Sequence, residues 1–242
     1  MLLTTPMQTL LHAAQQFNLT LTTDQLAAFD HYSRELIAWN QRVNLTRIVA
    51  PEEIEVKHFL DSLSVCLALP DLSASFSLVD VGSGAGFPGL PLKIALPAIR
   101  LTLVESIGKK TAFLQHMVDL LRLPGVTVLT ARAEEVGRQP PHRQQYDVAV
   151  ARAVTSLPAL AECTLPLVKV GGLVIVQKGQ PPTDEIKAAA NALGILGGRV
   201  RRVLPVAVPG LNAERRLIVI EKRRPTPKPY PRRPGLPEKK PL

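Results

Sequence analysis

Asp80, Gly82, Gly84 and Gly86 stand at the spacing D-x-G-x-G-x-G, directly after a short apolar run and directly before a helix start. The chemistry open to this pattern is ligand capture. Glycine reaches positive φ without penalty and lets a ligand come close to the backbone. The helix that follows turns free N–H groups and the positive end of its dipole toward the loop. Such a corner, at the carboxyl end of a parallel strand, holds a nucleotide-like cofactor.

Two cofactor patterns overlap here. Gly84, Gly86 and Gly89 also satisfy G-x-G-x-x-G, the dinucleotide fingerprint, which is a weak signal alone. A dinucleotide loop must cradle a pyrophosphate, and Asp80 just before the glycines would repel one. The same acid suits an ammonium, and the methionine part of S-adenosylmethionine carries one. Pro88 postpones the helix start to about residue 88, because proline is tolerated only in the first turn. The loop is therefore expected to hold the methionine end of S-adenosylmethionine; a plain strand–turn–helix corner is the structural alternative.

Glu105 closes the next apolar run, where an acid can accept from both ribose hydroxyls or simply cap the following helix. After the third run, Ala133 and Glu134 would lie beside an adenine, the backbone N–H and the acid reading the base edge; acids at a helix start explain the same residues equally well. Arg152, between Ala151 and Ala153, ends the fourth run, and Lys178 follows the fifth. Both are good phosphate or base ligands, and both could equally serve salt bridges. No aromatic N-P-P-Y loop for exocyclic amines is present, and no Pro-Cys pair for carbon methylation. His58 shares a helical face with Asp61 and Ser62, and a lone histidine is usually structural.

The elements that must position these residues follow from periodicity. Residues 5–70 read as helical, with capping-box pairs Thr5/Gln8 and Thr22/Gln25. Leu26, Phe29, Ser33 and Leu36 share one face of a long helix, and Val56, Leu60, Leu63 and Leu67 form the buried stripe of another. From residue 76 strands alternate with helices: strands at 76–81, 100–104, 126–130, 146–151 and 172–177, helices at about 88–96, 108–122, 133–137 and 156–168. That alternation predicts a doubly wound, Rossmann-like parallel sheet of the α/β class. After a helix at 183–194, runs 199–208 and 215–221 follow each other without a crossover helix, so they must pair antiparallel. A terminal antiparallel hairpin is the class I methyltransferase version of the fold. The expected organisation is a helical extension at 1–70, a methyltransferase domain at 71–222 and a basic tail at 223–242.

Charge is uneven. Of a formal +9, residues 221–242 hold +6, from eight Lys/Arg against Glu221 and Glu238, so an anionic partner is expected and the body is only mildly basic. With seven prolines, residues 223–242 are expected to be extended or disordered and to supply non-specific phosphate contacts. No run of 18 apolar residues and no basic n-region before an apolar core are present, so neither a membrane span nor a signal peptide is expected. Cys66 and Cys163 are too few for a disulfide framework or a metal site, and read as buried thiols in a reducing cytoplasm.

With the loop, Glu105, Arg132–Glu135, Ala-Arg-Ala and Lys-Gly in order, the chain resembles the small-subunit ribosomal RNA methyltransferase G family, also called glucose-inhibited division protein B. Trp39–Ile48, Lys57–Leu63 and the tail motif Tyr230-Pro-Arg-Arg-Pro-Gly extend the resemblance, in the form found in cyanobacteria and Gram-positive bacteria. The resemblance implies transfer of a methyl group from S-adenosylmethionine, leaving S-adenosylhomocysteine, to N7 of one guanine in the decoding-region loop of 16S rRNA, as naked RNA or within a 30S particle. It implies donor contacts at Gly82, Phe87, Ala133, Glu134 and Arg152, with Glu105, Ser106 and Ile107 at the ribose and adenine. It places Arg132, Arg152 and Lys178 in RNA alignment, and Asn44 and His58 near the RNA side. At Glu105 some relatives carry Asp, one methylene shorter. A cytoplasmic monomer without a metal is expected.

Guanine N7 has an in-plane lone pair and no proton, so alignment matters more than a general base. Three other functions remain open on the residues alone: a small-molecule methyltransferase, which the basic tail, Arg152 and Lys178 disfavour; a non-catalytic RNA-binding factor, separated by a transfer assay; and a nicotinamide oxidoreductase, separated by retention on a dinucleotide.

Overall fold

The computed structural model describes residues 7–69, 71–152, 155–179 and 182–242. Thr5 of the Thr5/Gln8 capping pair and Ala153 lie outside those residues. Seven strands, β1 (Ser77–Val81), β2 (Arg100–Glu105), β3 (Val126–Thr130), β4 (Tyr146–Arg152), β5 (Val168–Lys178), β6 (Gly198–Val206) and β7 (Arg215–Lys222), form one sheet in the order 3-2-1-4-5-7-6. β1 to β5 pair in parallel, whereas β7 runs antiparallel to both β5 and β6. The order reverses between β1 and β2 on one side and β4 on the other. A ligand crevice opens at that switch point, over the carboxyl ends of the strands.

Alternation within the strands divides the core in two. Leu78, Leu103, Val150 and Ile175 face one layer; Val79, Val81, Val104, Ala149 and Val176 face the other. The first layer carries helices Gly89–Ala95 and Gly108–Leu120 and, packed over them, the N-terminal helices Gln8–Ala14 and Thr23–Val43 and the helical segment 51–68. The capping box at the start of Thr23–Val43 is formed: Thr22 and Gln25 exchange side-chain and backbone hydrogen bonds. The Gln25 side chain also donates to the carbonyls of Ile94 and Ala95, which docks the helix onto the strand–helix body. In segment 51–68 the expected stripe is fully buried at Leu60 and Leu63 and only partly at Val56 and Leu67, whereas Glu55, His58, Asp61 and Ser62 are buried. The Glu55 carboxylate accepts the Leu10 N–H at 2.6 Å, satisfying a donor of the first helix that would otherwise be orphaned. The helix expected at 183–194 is two, Thr183–Ala188 and Ala190–Leu196.

The second layer holds Ala133–Val136, Leu157–Thr164, the helices of 183–196 and the C-terminal segment. That last position decides between the two states expected of residues 223–242, extended or disordered: the segment is an extended strap docked on the body, ending in the short helix Leu236–Lys239. Arg143 donates to the carbonyls of Thr226, Pro227 and Tyr230, and Arg138 donates to Pro231. Arg232 forms a fork on the Glu162 carboxylate, whose side chain has no exposed surface. Lys222, also fully buried, donates to the Leu165 carbonyl and to Thr226. Proline removes donors without removing acceptors. A proline-rich strap can therefore be held through its carbonyls by arginines of the body, a route that composition conceals. No helix among the described residues is long and apolar enough to cross a membrane.

Candidate functional site

Two of the loop glycines and the ends of β2 and β3 enclose a cavity of about 310 Å³, within the size range of small-molecule sites. Its wall includes Gly82, Gly84, Glu105, Ser106, Arg132, Ala133, Glu134 and Arg152. The N–H groups of Gly82 and Ser83 donate to the Val104 carbonyl, folding the loop back on β2. Glu105 locks the arrangement: one carboxylate oxygen accepts the Gly84 N–H at 3.0 Å and the other the Ile107 N–H at 2.9 Å. Each oxygen keeps a second lone pair for a ligand hydroxyl.

The glycines differ in what they do. Gly84 sits at φ +59, and a Cβ built there meets nothing nearer than the Gly82 oxygen at 3.9 Å. Gly86, at φ +98, would drive a Cβ to 2.5 Å from the Tyr32 hydroxyl and 2.6 Å from Leu90. Gly84 leaves space for a ligand, while Gly86 leaves space for the N-terminal helices. Gly89 admits the Asp80 carboxylate, which accepts its N–H at 2.9 Å. Asp80 is fully buried, and its other oxygen, Oδ1, has no partner among the described residues. Burial pushes its carboxyl up to about 7, against the Gly89 N–H and the Arg152 charge, which favour the anion. An orphaned carboxylate oxygen beneath an open glycine loop fits a ligand carrying a cation.

Asp80, Gly86, Phe87 and Ile107 therefore stand outside the cavity wall, whereas Gly82, Gly84, Glu105, Ser106, Ala133, Glu134, Arg132 and Arg152 line it. Glu134 is already engaged, since its Oε1 accepts the Gly235 N–H of the C-terminal segment. Phe87 turns toward the N-terminal helices, where it stacks on His58 with centroids 4.3 Å apart and on Tyr32 at 5.4 Å.

A second cleft of about 290 Å³ adjoins the first and is lined by Ile48, Lys57, His58, Asp61, Gln177, Lys178 and Arg215. Arg152 belongs to both walls. Its guanidinium lies 4.9 Å from the centre of the Phe87 ring, and it donates to Asp61 Oδ2 and to His58 Nδ1, each at 3.2 Å. Asp61 Oδ1 accepts from Arg215 Nε at 2.7 Å, so one buried carboxylate balances two guanidiniums. Burial and the Arg152 charge press His58 down to about 3. It is neutral at physiological pH, its Nε2 2.9 Å from Thr46 Oγ1, which leaves neither nitrogen free as a base. Lys178 donates to the Thr155 carbonyl and pairs with Glu185 at 2.9 Å. The salt-bridge alternative for Arg152 and Lys178 is therefore formed, and the pairs fix each cation at the cleft.

Asn44 ends its helix at φ +33, exposed and away from both cavities. The turn after it is pinned by Asn40, whose side chain accepts the Leu45 and Thr46 N–H groups. Tyr32, Arg215 and Gln177 also belong to the site, without a motif in the sequence to mark them. Tyr32 falls beside the apolar stripe of its helix and donates to the Ala85 carbonyl in the loop. Arg215 opens a terminal strand with no motif around it. Gln177 is buried, donates to the Asp61 carbonyl, and keeps Oε1 without a partner among the described residues.

Comparison with known proteins gives the family and the fold. The family model described as rRNA small subunit methyltransferase G matches residues 25–218. A protein named ribosomal RNA small subunit methyltransferase G from a Roseiflexus species is 53% identical over 236 residues, 98% of this chain and 100% of its own length. Its namesake from Acetivibrio thermocellus is 45% identical over 96% of this chain and 95% of its own. Among solved structures, TrmN from Thermus thermophilus superposes with a TM-score of 0.51 at 18% identity, over 69% of this chain and 53% of that one. A predicted O-methyltransferase from Agrobacterium tumefaciens gives 0.51 at 20%, over 69% and 81%. These two share the fold.

Proposed function

The chain belongs to the rRNA small subunit methyltransferase G family, and on that premise we propose that it methylates N7 of one guanine in the decoding-region loop of 16S rRNA, with S-adenosylmethionine as donor. The donor supplies a methyl group on a sulfonium. Gly82 and Gly84 would face its methionine part, with the Asp80 charge beneath its ammonium. Glu105 would accept from the ribose, and Ser106, Ala133 and Glu134 would flank the adenine.

The carrying observation is that Arg152 is common to the donor cavity and the second cleft. A donor held in the first cavity would present its methyl group to the second cleft beside that side chain. The N7 lone pair would form the new C–N bond as the S–C bond breaks and its electron pair stays on sulfur. No proton moves, and the ring becomes cationic. The cleft accords with that balance, because its histidine has both nitrogens engaged, its guanidiniums Arg152 and Arg215 are held by Asp61, and Lys178 is held by Glu185. Their part is to align phosphate and base.

Incubation with methyl-labelled donor and unmodified 16S rRNA or 30S subunits, followed by mapping, tests the proposal. Label at N7 of a single guanine is expected. Label on an exocyclic amine, or transfer only to a small molecule, overturns it.

A further inference from the structure

The segment that composition marks as a solvated tail reaches the donor cavity. Pro237 and Glu238, in the short helix Leu236–Lys239, are part of the same wall as Ala133, Glu134, Ala159 and Cys163. Two attachments to the body and one bond within the segment hold them there. Arg232 grips the fully buried Glu162 in a fork, with contacts at 2.6, 2.9 and 3.1 Å, and the same carboxylate accepts the Arg232 N–H at 2.7 Å. Three residues on, the Gly235 N–H is 2.8 Å from Glu134 Oε1. Arg232 also donates to the Lys240 carbonyl at 2.8 Å, so the turn that carries Pro237 and Glu238 is closed from both sides.

We propose that residues 232–240 form the outer wall of the adenine end of the donor site and help to select the base; this rests on the reading of that cavity as the S-adenosylmethionine site. Glu134 marks the adenine end, after β3, and the segment is bonded to it directly. Pro237 is largely buried and turns its remaining apolar surface to the cavity, where a base face could lie. Glu238 brings an acceptor-only carboxylate to a place where Glu134 has one oxygen already taken. An exocyclic amine has two protons to give. A carboxylate there accepts from adenine and repels the carbonyl that hypoxanthine carries at the same position. Burial first, and then Glu134, Glu162 and Glu238, push the Cys163 thiol at this end up, with Arg132 opposing them.

The experiment titrates the full chain calorimetrically with S-adenosylhomocysteine and with S-inosylhomocysteine, and repeats both with two variants. One lacks residues 236–242 but keeps Arg232 and its fork. The other is Glu238→Gln, whose amide can still accept from an amine and can now donate to a carbonyl. Deletion is expected to weaken S-adenosylhomocysteine binding about tenfold, and Glu238→Gln to narrow the preference for adenine over hypoxanthine about tenfold, since a site built to pair with a group discriminates strongly against its replacement. Deletion with unchanged affinity, or Glu238→Gln with unchanged preference, overturns the proposal. If deletion lowers thermal stability sharply, the preference measured with Glu238→Gln decides, because a merely structural role would not move it. An unmodified chain that binds neither compound overturns the donor-site reading instead.

Discussion

The two cavities that meet at Arg152 are built in different ways. The cavity proposed for the donor is made of strand ends and turns, from short stretches of consecutive chain: the Gly82–Gly84 loop, Val104–Ser106 and Ala131–Glu134. The second cleft is made of side chains brought from afar. Its central carboxylate, Asp61, is 91 residues from Arg152 and 154 from Arg215. A site made from consecutive backbone is damaged by anything that fills it. A site made from paired charges is damaged by anything that unbalances it.

The largest effect belongs to Gly84→Val. The side chain would enter the open part of the donor cavity from a backbone at φ +59, a conformation that a β-branched residue avoids. Donor affinity should fall at least about a hundredfold by calorimetry, with a cooperative melt retained. Gly86→Ala sharpens the contrast two residues away. There the Cβ would strike Tyr32 and Leu90, so the loss should appear first as a lowered melting temperature. Undiminished donor binding by a folded Gly84→Val chain would remove the glycine loop from the site.

Asp61→Asn should break the second cleft while sparing the first. It leaves the Arg152 and Arg215 guanidiniums without their shared countercharge in a buried setting, which costs about 3 kcal/mol. For a chain of this size that lowers the melting temperature by roughly 6–12 °C. Transfer to RNA should fall roughly thirtyfold by single-turnover assay, whereas donor affinity should change less than about threefold. Equal losses in both would mean that the two cavities are one energetic unit.

This difference in construction decides what could be read from the chain. Strand ends, glycine spacing and the terminal hairpin are local or periodic signals, and they place Gly82, Gly84, Glu105 and Glu134 in one crevice. The second cleft is non-local. His58 and Asp61 are marked as neighbours on a helix, but nothing in the chain says that this face meets the ends of β4, β5 and β7. The C-terminal segment misled for a different reason. Net charge and proline content describe a solvated chain, yet Arg232 is consumed by Glu162 and the strap's carbonyls by Arg138 and Arg143. Composition counts charges without knowing which are paired within the fold.

The smallest effects are in pH, where the two cavities should again separate. Asp80 has its carboxyl raised to about 7 by burial, from an ordinary value near 3.8. The folded chain without donor therefore holds a proton that the unfolded chain has lost between those limits. Its stability from this group is full below about 3.8 and declines as pH rises through 7. A cation at the glycine loop favours the anionic acid, so donor binding should release that proton. Affinity should then rise roughly tenfold between pH 5.5 and 7, a window in which an α-ammonium, of ordinary pKa 7.7–8.0, keeps its charge. Asp80→Asn retains an acceptor for the Gly89 N–H and should flatten that dependence. The second cleft should show no such slope. With donor and RNA saturating, Asp80 is already ionised, and His58, near 3, does not titrate at neutrality. Single-turnover transfer should vary by less than about twofold from pH 6.5 to 8.5, with no bell shape. A rate climbing tenfold per unit through that window, at constant binding, would mean that a proton leaves the nucleophile. The target would then be an exocyclic amine or a ring N–H, and the cleft would need a base that its paired side chains do not offer.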